Sequence, residues 1–217
     1  MTRRSLLAGA LALACSAQSG CSATADSNAG DAAPAPGDLG TPAQPAPDGG
    51  GPASAPFAAP PVFGPNVLVF DPSMPMSAIQ SRLDALYAQQ DAAQFGAGRY
   101  AYLFKPGHYA LDVKVGFYTQ VLGLGASPDD VVITGAVRSK ADWLGNNNAT
   151  CNFWRGAENL AVVPSAAIDA GIDVWAVSQG TQLRRVHVEG DLKLDDGGWS
   201  SGGFIADSIV DGTLTSG

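Results

Sequence analysis

The sequence has few basic residues: 12 Lys and Arg stand against 20 Asp and Glu, which gives a formal net charge of -8 and an isoelectric point of about 4.5. It therefore lacks the basic stripe that neutralises phosphates, and a nucleic-acid partner is excluded. Charged residues make up only 15% of the chain, beside 27 Gly and 15 Pro, which argues against a helical bundle or a coiled coil. Its 3 cysteines are too few for a disulfide scaffold and have no metal-ligand spacing.

The acidic balance also bears on the kind of partner. A weakly charged, acidic surface suits a neutral polysaccharide, whereas a polyanionic glycan would be repelled unless Ca²⁺ or a local arginine cluster intervened. No cofactor is otherwise predicted.

Residues 1–25 have the pattern of an export signal. Arg3 and Arg4 precede a short apolar run, too short to span a bilayer, and resemble a twin-arginine signal. Ordinary cleavage after Ala25 competes with lipidation, because the residues before Cys15 resemble a lipobox and those before Cys21 a poorer one. The protein is therefore predicted to be exported, extracellular or at the cell surface, with a membrane contact only through such an N-terminal lipid.

A linker follows at residues 26–61, which consist almost entirely of Ala, Pro, Gly, Asp and Ser. Such a stretch buries too little apolar surface to offset its chain entropy, so we expect disorder. The folded domain is predicted at residues 62–217.

The domain sequence predicts one helix and many short strands. Residues 67–70 read as a strand, and Ser77 with Gln80 reads as the capping box of a helix over 78–90. Beyond Gly98, apolar runs alternate with Gly, Asn and Asp clusters, which is typical of strands and turns. The predicted strands are 100–104, 119–122, 131–134, 160–163, 183–188 and 204–210.

Three of these segments share a pattern of two polar residues followed by an apolar anchor. The anchors Leu160, Val186 and Ile209 are 26 and 23 residues apart, and a tryptophan precedes each one. A repeat in the low twenties, built of short strands and Gly/Asn turns, is typical of a solenoid of β-coils.

Longer motifs carry a family resemblance over residues 66–217. Residues 104–109 (FKPGHY) resemble the opening motif of right-handed parallel β-helices of the pectate-lyase-like superfamily, and residues 116–125, 127–131, 152–155 and 196–203 resemble a group of exported bacterial β-helix proteins. Members of that group are often labelled coagulation factor 5/8 type domain protein or adenylyl cyclase, although the sequence has neither a cyclase's paired metal-binding aspartates nor a discoidin-like domain. The resemblance implies an all-β fold: a right-handed single-stranded parallel β-helix with one N-terminal capping α-helix.

The chain stops earlier than the relatives of that resemblance and has no recognisable cap at its end. An uncapped coil leaves strand edges open. We therefore expect either a C-terminally truncated reading frame, which we favour, or closure of the end by self-association.

Candidate catalytic residues follow from the needs of glycoside hydrolysis, which uses two carboxyls about 5–10 Å apart. Adjacent coils stack about 4.8 Å apart, so Asp173 could stack with Asp195 or Asp196. A turn rich in Asp and Gly is the alternative interpretation of the Asp195–Asp196 pair. Further candidates are Asp207, His187 as an outward acid or base, and Arg185 as the base of a lyase; solvated or ion-paired strand residues are the alternative for each.

Trp154, Trp175 and Trp199 are candidate sugar platforms, or else a stacked core ladder. The sequence as a whole predicts a polysaccharide-acting protein, most simply a glycoside hydrolase with paired carboxylates. A non-catalytic carbohydrate-binding or adhesion protein and a polysaccharide lyase are the alternatives.

Overall fold

The computed structural model describes residues 63–200 and 203–216; the predicted export signal with Cys15 and Cys21, and the predicted linker, lie outside them. These residues form one α-helix and twelve strands. In chain order the elements are β1 (Val67–Phe70), α1 (Met76–Gln90), β2 (Tyr100–Phe104), β3 (Gly107–Lys114), β4 (Thr119–Gly123), β5 (Val131–Arg138), β6 (Arg155–Pro164), β7 (Ile172–Val174), β8 (Gln182–Val188), β9 (Asp191–Lys193), β10 (Phe204–Ala206), β11 (Ile209–Val210) and β12 (Leu214–Thr215).

All strand pairings are parallel and form three ladders. The first ladder runs β1-β2-β4-β6-β8-β10, the second runs β3-β5-β6-β8-β11, and the third runs β7-β9-β12. Each ladder gains a strand when the chain returns to it after roughly 20 to 35 residues, which is the behaviour of a solenoid. The protein is thus mostly β, with parallel sheets and one helix.

The long strands β6 and β8 belong to two ladders because each bends at a residue with left-handed backbone. Asn159 has φ 55° and Arg185 has φ 51°, and the register places them opposite each other. Asp207, with φ 51°, occupies the same place between β10 and β11. Asparagine and aspartate tolerate this conformation better than other residues with a side chain. The three residues form a stacked corner.

The interior is filled by side chains that alternate inward along the strands. Phe104 is fully buried, and its ring centroid lies 5.0 Å from those of Phe70 and Tyr109. The buried cluster continues through Ile133 and Leu160 into the later coils. One contiguous apolar core therefore runs through the stacked ladders.

Helix α1 begins two residues earlier than predicted, and the predicted capping box is wrong. Pro75 precedes the helix, and no side chain caps it. Gln80 instead pairs with the backbone of Asp112 in β3: its Oε1 accepts the amide at 2.9 Å and its Nε2 donates to the carbonyl at 2.9 Å. The Gln80 side chain thus joins α1 to β3. It is therefore not available to cap the start of the helix. Within the described residues, no helix has the length and apolar character needed to cross a membrane.

Most predicted strands are confirmed, but only one of the two predicted alignments between their apolar anchors is correct. Leu160 pairs with Val186 as expected, whereas Ile209 pairs with His187 and is 59% exposed. The predicted strand 204–210 is broken after Ala206, but its pairing with β8 does not shift there: Phe204 pairs with Gln182 and Ile209 with His187, an offset of 22 residues in both cases. The true offset is one residue shorter than the predicted 23, so Ser208 rather than Ile209 lies opposite Val186. Strands β3, β7, β9 and β12 were not predicted.

The corner residue Asn159 gives a test of this architecture. Its Nδ2 donates to the carbonyls of Gly123 and Gly125 at 2.9 and 2.8 Å. We expect Asn159→Ala to lower the free energy of unfolding by about 2–3 kcal/mol, because it strains the backbone and removes two hydrogen bonds. Asn159→Gly removes only the hydrogen bonds and should cost about 1 kcal/mol less. Urea unfolding measures both, and equal losses would contradict a strained corner.

Candidate functional site

The predicted acidic pair is engaged in holding a loop. The Asp195 carboxylate accepts the Gly197 amide at 2.7 Å and lies 3.1 Å from Lys193 Nζ. Asp196 lies 2.9 Å from Lys140 Nζ and accepts the Ala141 amide at 3.0 Å. Both carboxylates therefore have a cation and a backbone donor, as the turn interpretation of this pair expected.

Asp196 ends a row of alternating charges across neighbouring coils. In the middle of this row, Arg138 forms ion pairs with Asp112 at 2.7 Å and with Asp169 at 2.8 Å. The hydrogen bond with Asp112 raises the pKa of Arg138 above its usual range. The members of this row are Asp84, Lys114, Asp112, Arg138, Asp169, Lys140 and Asp196. Its carboxylates are compensated by cations, which argues against their use as acids or nucleophiles.

The predicted stacking of Asp173 with Asp195 or Asp196 is wrong. Asp173 pairs with Leu192, three residues before Asp195, and its side chain is buried inside the solenoid. Its Oδ1 accepts the Val137 amide at 3.0 Å, and its Oδ2 has no partner among the described residues. Burial raises the pKa of Asp173 to about 7.

Asp207, Arg185 and His187 lie on the outer surface. The carboxylate of Asp207 lies 3.6 Å from Arg184, and Arg185 donates to Asn159 Oδ1 at 3.2 Å. Arg184 and Arg185 are both exposed, because the left-handed backbone of Arg185 interrupts the alternation of side chains along the strand. His187 bonds to two carboxylates, which are described below.

The three tryptophans do not form a ladder. Trp175 is 1% exposed and belongs to the core, so its assignment as a sugar platform is wrong. Trp154 and Trp199 are 58% and 80% exposed. Only the last two can offer an aromatic face to a ligand.

Trp154 separates two clefts on the outer side of the first ladder. A cleft of about 530 Å³ is lined by Arg99, Tyr100 and Tyr118, and one of about 550 Å³ by Gln179, Thr181 and Phe204; Trp154 and Gln120 line both. The indole packs over Gly180, where a Cβ would lie 3.3 Å from the ring. Arg99 stacks on the Tyr118 ring, 3.4 Å from its centroid.

The floor between these clefts is a row of amide side chains. Gln182 Nε2 donates to Gln120 Oε1 at 2.9 Å and to Glu158 Oε1 at 3.2 Å. Gly156 lies between the two glutamines in the register, and a Cβ there would meet both of their side chains. The missing side chain therefore allows the glutamines to bond. Exposed Trp154 and Phe204 together with half-buried Tyr100, Tyr118, Gln120 and Gln182 are named the Trp154 surface.

Sequence reasoning found Trp154 but missed the rest of this surface. One usable signal was position: Tyr118 and Trp154 each directly precede a strand of the first ladder, and the Tyr118 amide donates to the Trp154 carbonyl at 2.6 Å. Both have left-handed backbone, with φ 56° and 54°. They form a second stacked corner, which Gly180 continues.

Trp199 is presented by the loop that the aspartate pair holds. The Trp199 carbonyl accepts the Ala149 amide at 2.7 Å, and the indole borders a cleft of about 390 Å³ with Asn146, Asn148, Gly197 and Gly198. Aromatic faces beside amide groups and glycine backbone suit the apolar faces and hydroxyl groups of a sugar ring.

Comparison with known proteins finds relatives among both curated proteins and solved structures. No protein-family model matches the chain. The chain is 50% identical over 155 residues to a curated protein of Streptomyces sp. (strain SirexAA-E / ActE) named exo-beta-1,3-glucanase. That match covers 70% of this chain and 24% of the relative, so the chain spans about a quarter of the relative's length.

Solved structures agree with this. The structure of sacteLam55A from Streptomyces sp. SirexAA-E matches with TM-score 0.63 and 50% identity, over 70% of this chain and 27% of that one. An E502A variant of sacteLam55A in complex with glucose matches with TM-score 0.63 and 49% identity over the same shares. The expected relation to proteins labelled coagulation factor 5/8 type domain or adenylyl cyclase is therefore wrong, because the curated relative is named exo-beta-1,3-glucanase and the matching structures are of sacteLam55A.

The buried carboxyl of Asp173 predicts a pH-dependent stability. Its pKa is raised on folding, so its contribution to the free energy of unfolding falls as the pH rises from about 4 to 7. Asp173→Asn keeps an acceptor for the Val137 amide and has no carboxyl to titrate. The free energy of unfolding of the variant relative to that of the wild type should therefore rise by about 2–4 kcal/mol between pH 4 and pH 8. Urea unfolding across that range tests it, with exposed Asp207→Asn as the control. A constant difference from wild type would contradict the assignment.

Proposed function

We propose that the protein is a glycoside hydrolase of β-1,3-glucan, and that the described strands are the coils of a right-handed single-stranded parallel β-helix capped by α1. The observation that carries this proposal is the 50% identity to an exo-beta-1,3-glucanase over 155 residues. A net charge of -8 agrees with a neutral glucan as the substrate.

The Trp154 surface is proposed as a sugar-binding part of this enzyme. A pyranose ring has apolar C–H faces that pack on indole and phenol rings, and equatorial hydroxyls that bond to amides. Trp154 provides the ring, and the Gln120–Gln182 pair provides amide groups beside it. Trp199 provides a second aromatic face, fixed by the Asp195–Asp196 loop.

One observation favours a second candidate, in which this chain binds glucan without hydrolysing it. Hydrolysis needs an acid and a base or nucleophile, whereas Asp195 and Asp196 are both compensated by lysines and backbone amides. In that case the chain would supply carbohydrate contacts only.

Export is part of the proposal. A protein that acts on a polysaccharide too large to enter a cell must meet it outside, which agrees with the signal pattern of residues 1–25.

Hydrolysis and binding are separated by one assay on the full chain. We expect reducing-sugar release from a soluble β-1,3-glucan and none from a soluble β-1,4-glucan of similar length. Binding to the β-1,3-glucan without release would support the carbohydrate-binding candidate. Absence of both binding and release would overturn the proposal.

The role of Trp154 is tested by substituting Trp154 itself and Gly180, on which its indole packs. Trp154→Ala should weaken binding of β-1,3-gluco-oligosaccharides by at least ~10-fold, which is about 1.4 kcal/mol. Gly180→Ala should act in the same direction, because the new methyl group lifts the indole. Both are measured by titration calorimetry.

The matched control is Gly145→Ala. Gly145 has φ 71°, close to the 68° of Gly180, but a Cβ there meets nothing within 4 Å. The two substitutions therefore carry the same backbone strain, and only Gly180→Ala disturbs Trp154. If Gly180→Ala and Gly145→Ala bind β-1,3-gluco-oligosaccharides with equal affinity, the proposal that Trp154 belongs to the sugar-binding surface is wrong.

A further inference from the structure

Residues 123–130 run from the last residue of β4 through the 3₁₀ turn before β5, lie across the outer side of β6 and β8, and are named loop 123–130. Arg185 Nη2 donates to the carbonyl of Ala126 in this loop at 3.2 Å. His187 Nδ1 lies 2.8 Å from the carboxylate of Asp129, in the 3₁₀ turn that ends the loop. The side chain of His187, which is 20% exposed, is thus the last attachment of the loop to β8.

The other nitrogen of the same ring reaches a different part of the chain. His187 Nε2 lies 3.2 Å from a carboxylate oxygen of Asp211, which follows β11. The Asp211 amide donates to the Val188 carbonyl at 3.0 Å, so its backbone is joined to β8 as well. One imidazole therefore connects a loop 58 residues before it with a turn 24 residues after it.

Hydrogen-bond chemistry fixes the protonation state of this arrangement. An ionised carboxylate only accepts hydrogen bonds, and a neutral imidazole has one donor and one acceptor nitrogen. Two carboxylates on the two nitrogens can both be satisfied only when both nitrogens carry a proton. The described geometry is therefore that of an imidazolium.

We propose that His187 is a proton-operated clasp, which joins Asp129 to Asp211 when it is charged and releases Asp211 when it loses its proton. Asp211 is released because its contact is the longer one, 3.2 Å against 2.8 Å. The retained contact with Asp129 then uses the single remaining N–H. The turn after β11 loosens while loop 123–130 stays attached.

The charges around the ring agree with this direction. Asp129 and Asp211 face it from the loop and the turn. Asp130 is turned away to accept the Ser127 amide, and Arg185 on the same strand donates to Ala126 and Asn159. The hydrogen bond with Asp129 raises the pKa of His187, and partial burial opposes this less strongly. The clasp is therefore closed below the ordinary histidine pKa of about 6.5 and opens as the pH rises past the raised value.

The same geometry distinguishes the clasp from a metal site. The two carboxylates contact opposite nitrogens of the ring, so they cannot converge with it on one ion. No cluster of three His, Cys, Asp or Glu side chains within 63–200 and 203–216 is arranged to hold a metal.

The test combines a histidine titration with hydrogen exchange on the full chain. The chain has 2 histidines, so His108→Gln leaves His187 as the single imidazole for NMR titration. We expect its pKa to lie above 6.5 and to fall in Asp129→Asn and in Asp211→Asn. An unshifted His187 in the His108→Gln protein would overturn the proposal.

Exchange of the backbone amides of residues 209–212 reports the opening itself. After correction for intrinsic rates, we expect exchange at pH 8.5 to be at least 3-fold faster than at pH 5.5. His187→Gln should exchange at the fast rate at both pH values, with His108→Gln as the matched control that keeps the pH dependence. Opening of loop 123–130 instead of the 209–212 turn would contradict the assigned order of release.

Discussion

The parallel register between coils is the constraint on which the rest of the structure depends. Because the strands stack without offset, a residue at a bend in one coil lies above the residue at the same bend in the next. Left-handed backbone recurs at two such places, Asn159 with Arg185 and Tyr118 with Trp154. Each corner turns the chain into the next ladder, and the second corner also places Trp154 on the surface over Gly180.

The stacking also decides how side chains pair. Neighbouring strands lie about 4.8 Å apart, close enough for short polar side chains on successive coils to bond directly. On one face this gives the amide row of Gln120 and Gln182, which Gly156 leaves room for. Elsewhere it gives the ionic row through Arg138 and Lys140. A chain with few charges thus uses many of its carboxylates to join coils.

This explains why the sequence predicts more of the fold than of the site. Apolar runs such as β2 and the anchors Leu160 and Val186 carry their own signal, and the structure confirms them. The corner at Asp207 carries none, because an aspartate between two strands reads equally well as part of one strand. Short strands such as β7 and β9 are too brief for periodicity to reveal.

The candidate acids were chosen by residue type and spacing, which say nothing about compensation. Asp195 and Asp196 have the right chemistry, yet Lys193 and Lys140 lie beside them. Trp154 and Trp199 are different, because an indole left 58% or 80% exposed keeps most of its apolar surface in contact with water. The exposed aromatic faces therefore carry more functional information here than the carboxylates do.

The relatives are about four times as long as the matched stretch, with the chain covering 24% of the curated one. The proposed sugar-binding role of these aromatic faces does not require every group of a hydrolytic reaction to lie beside them.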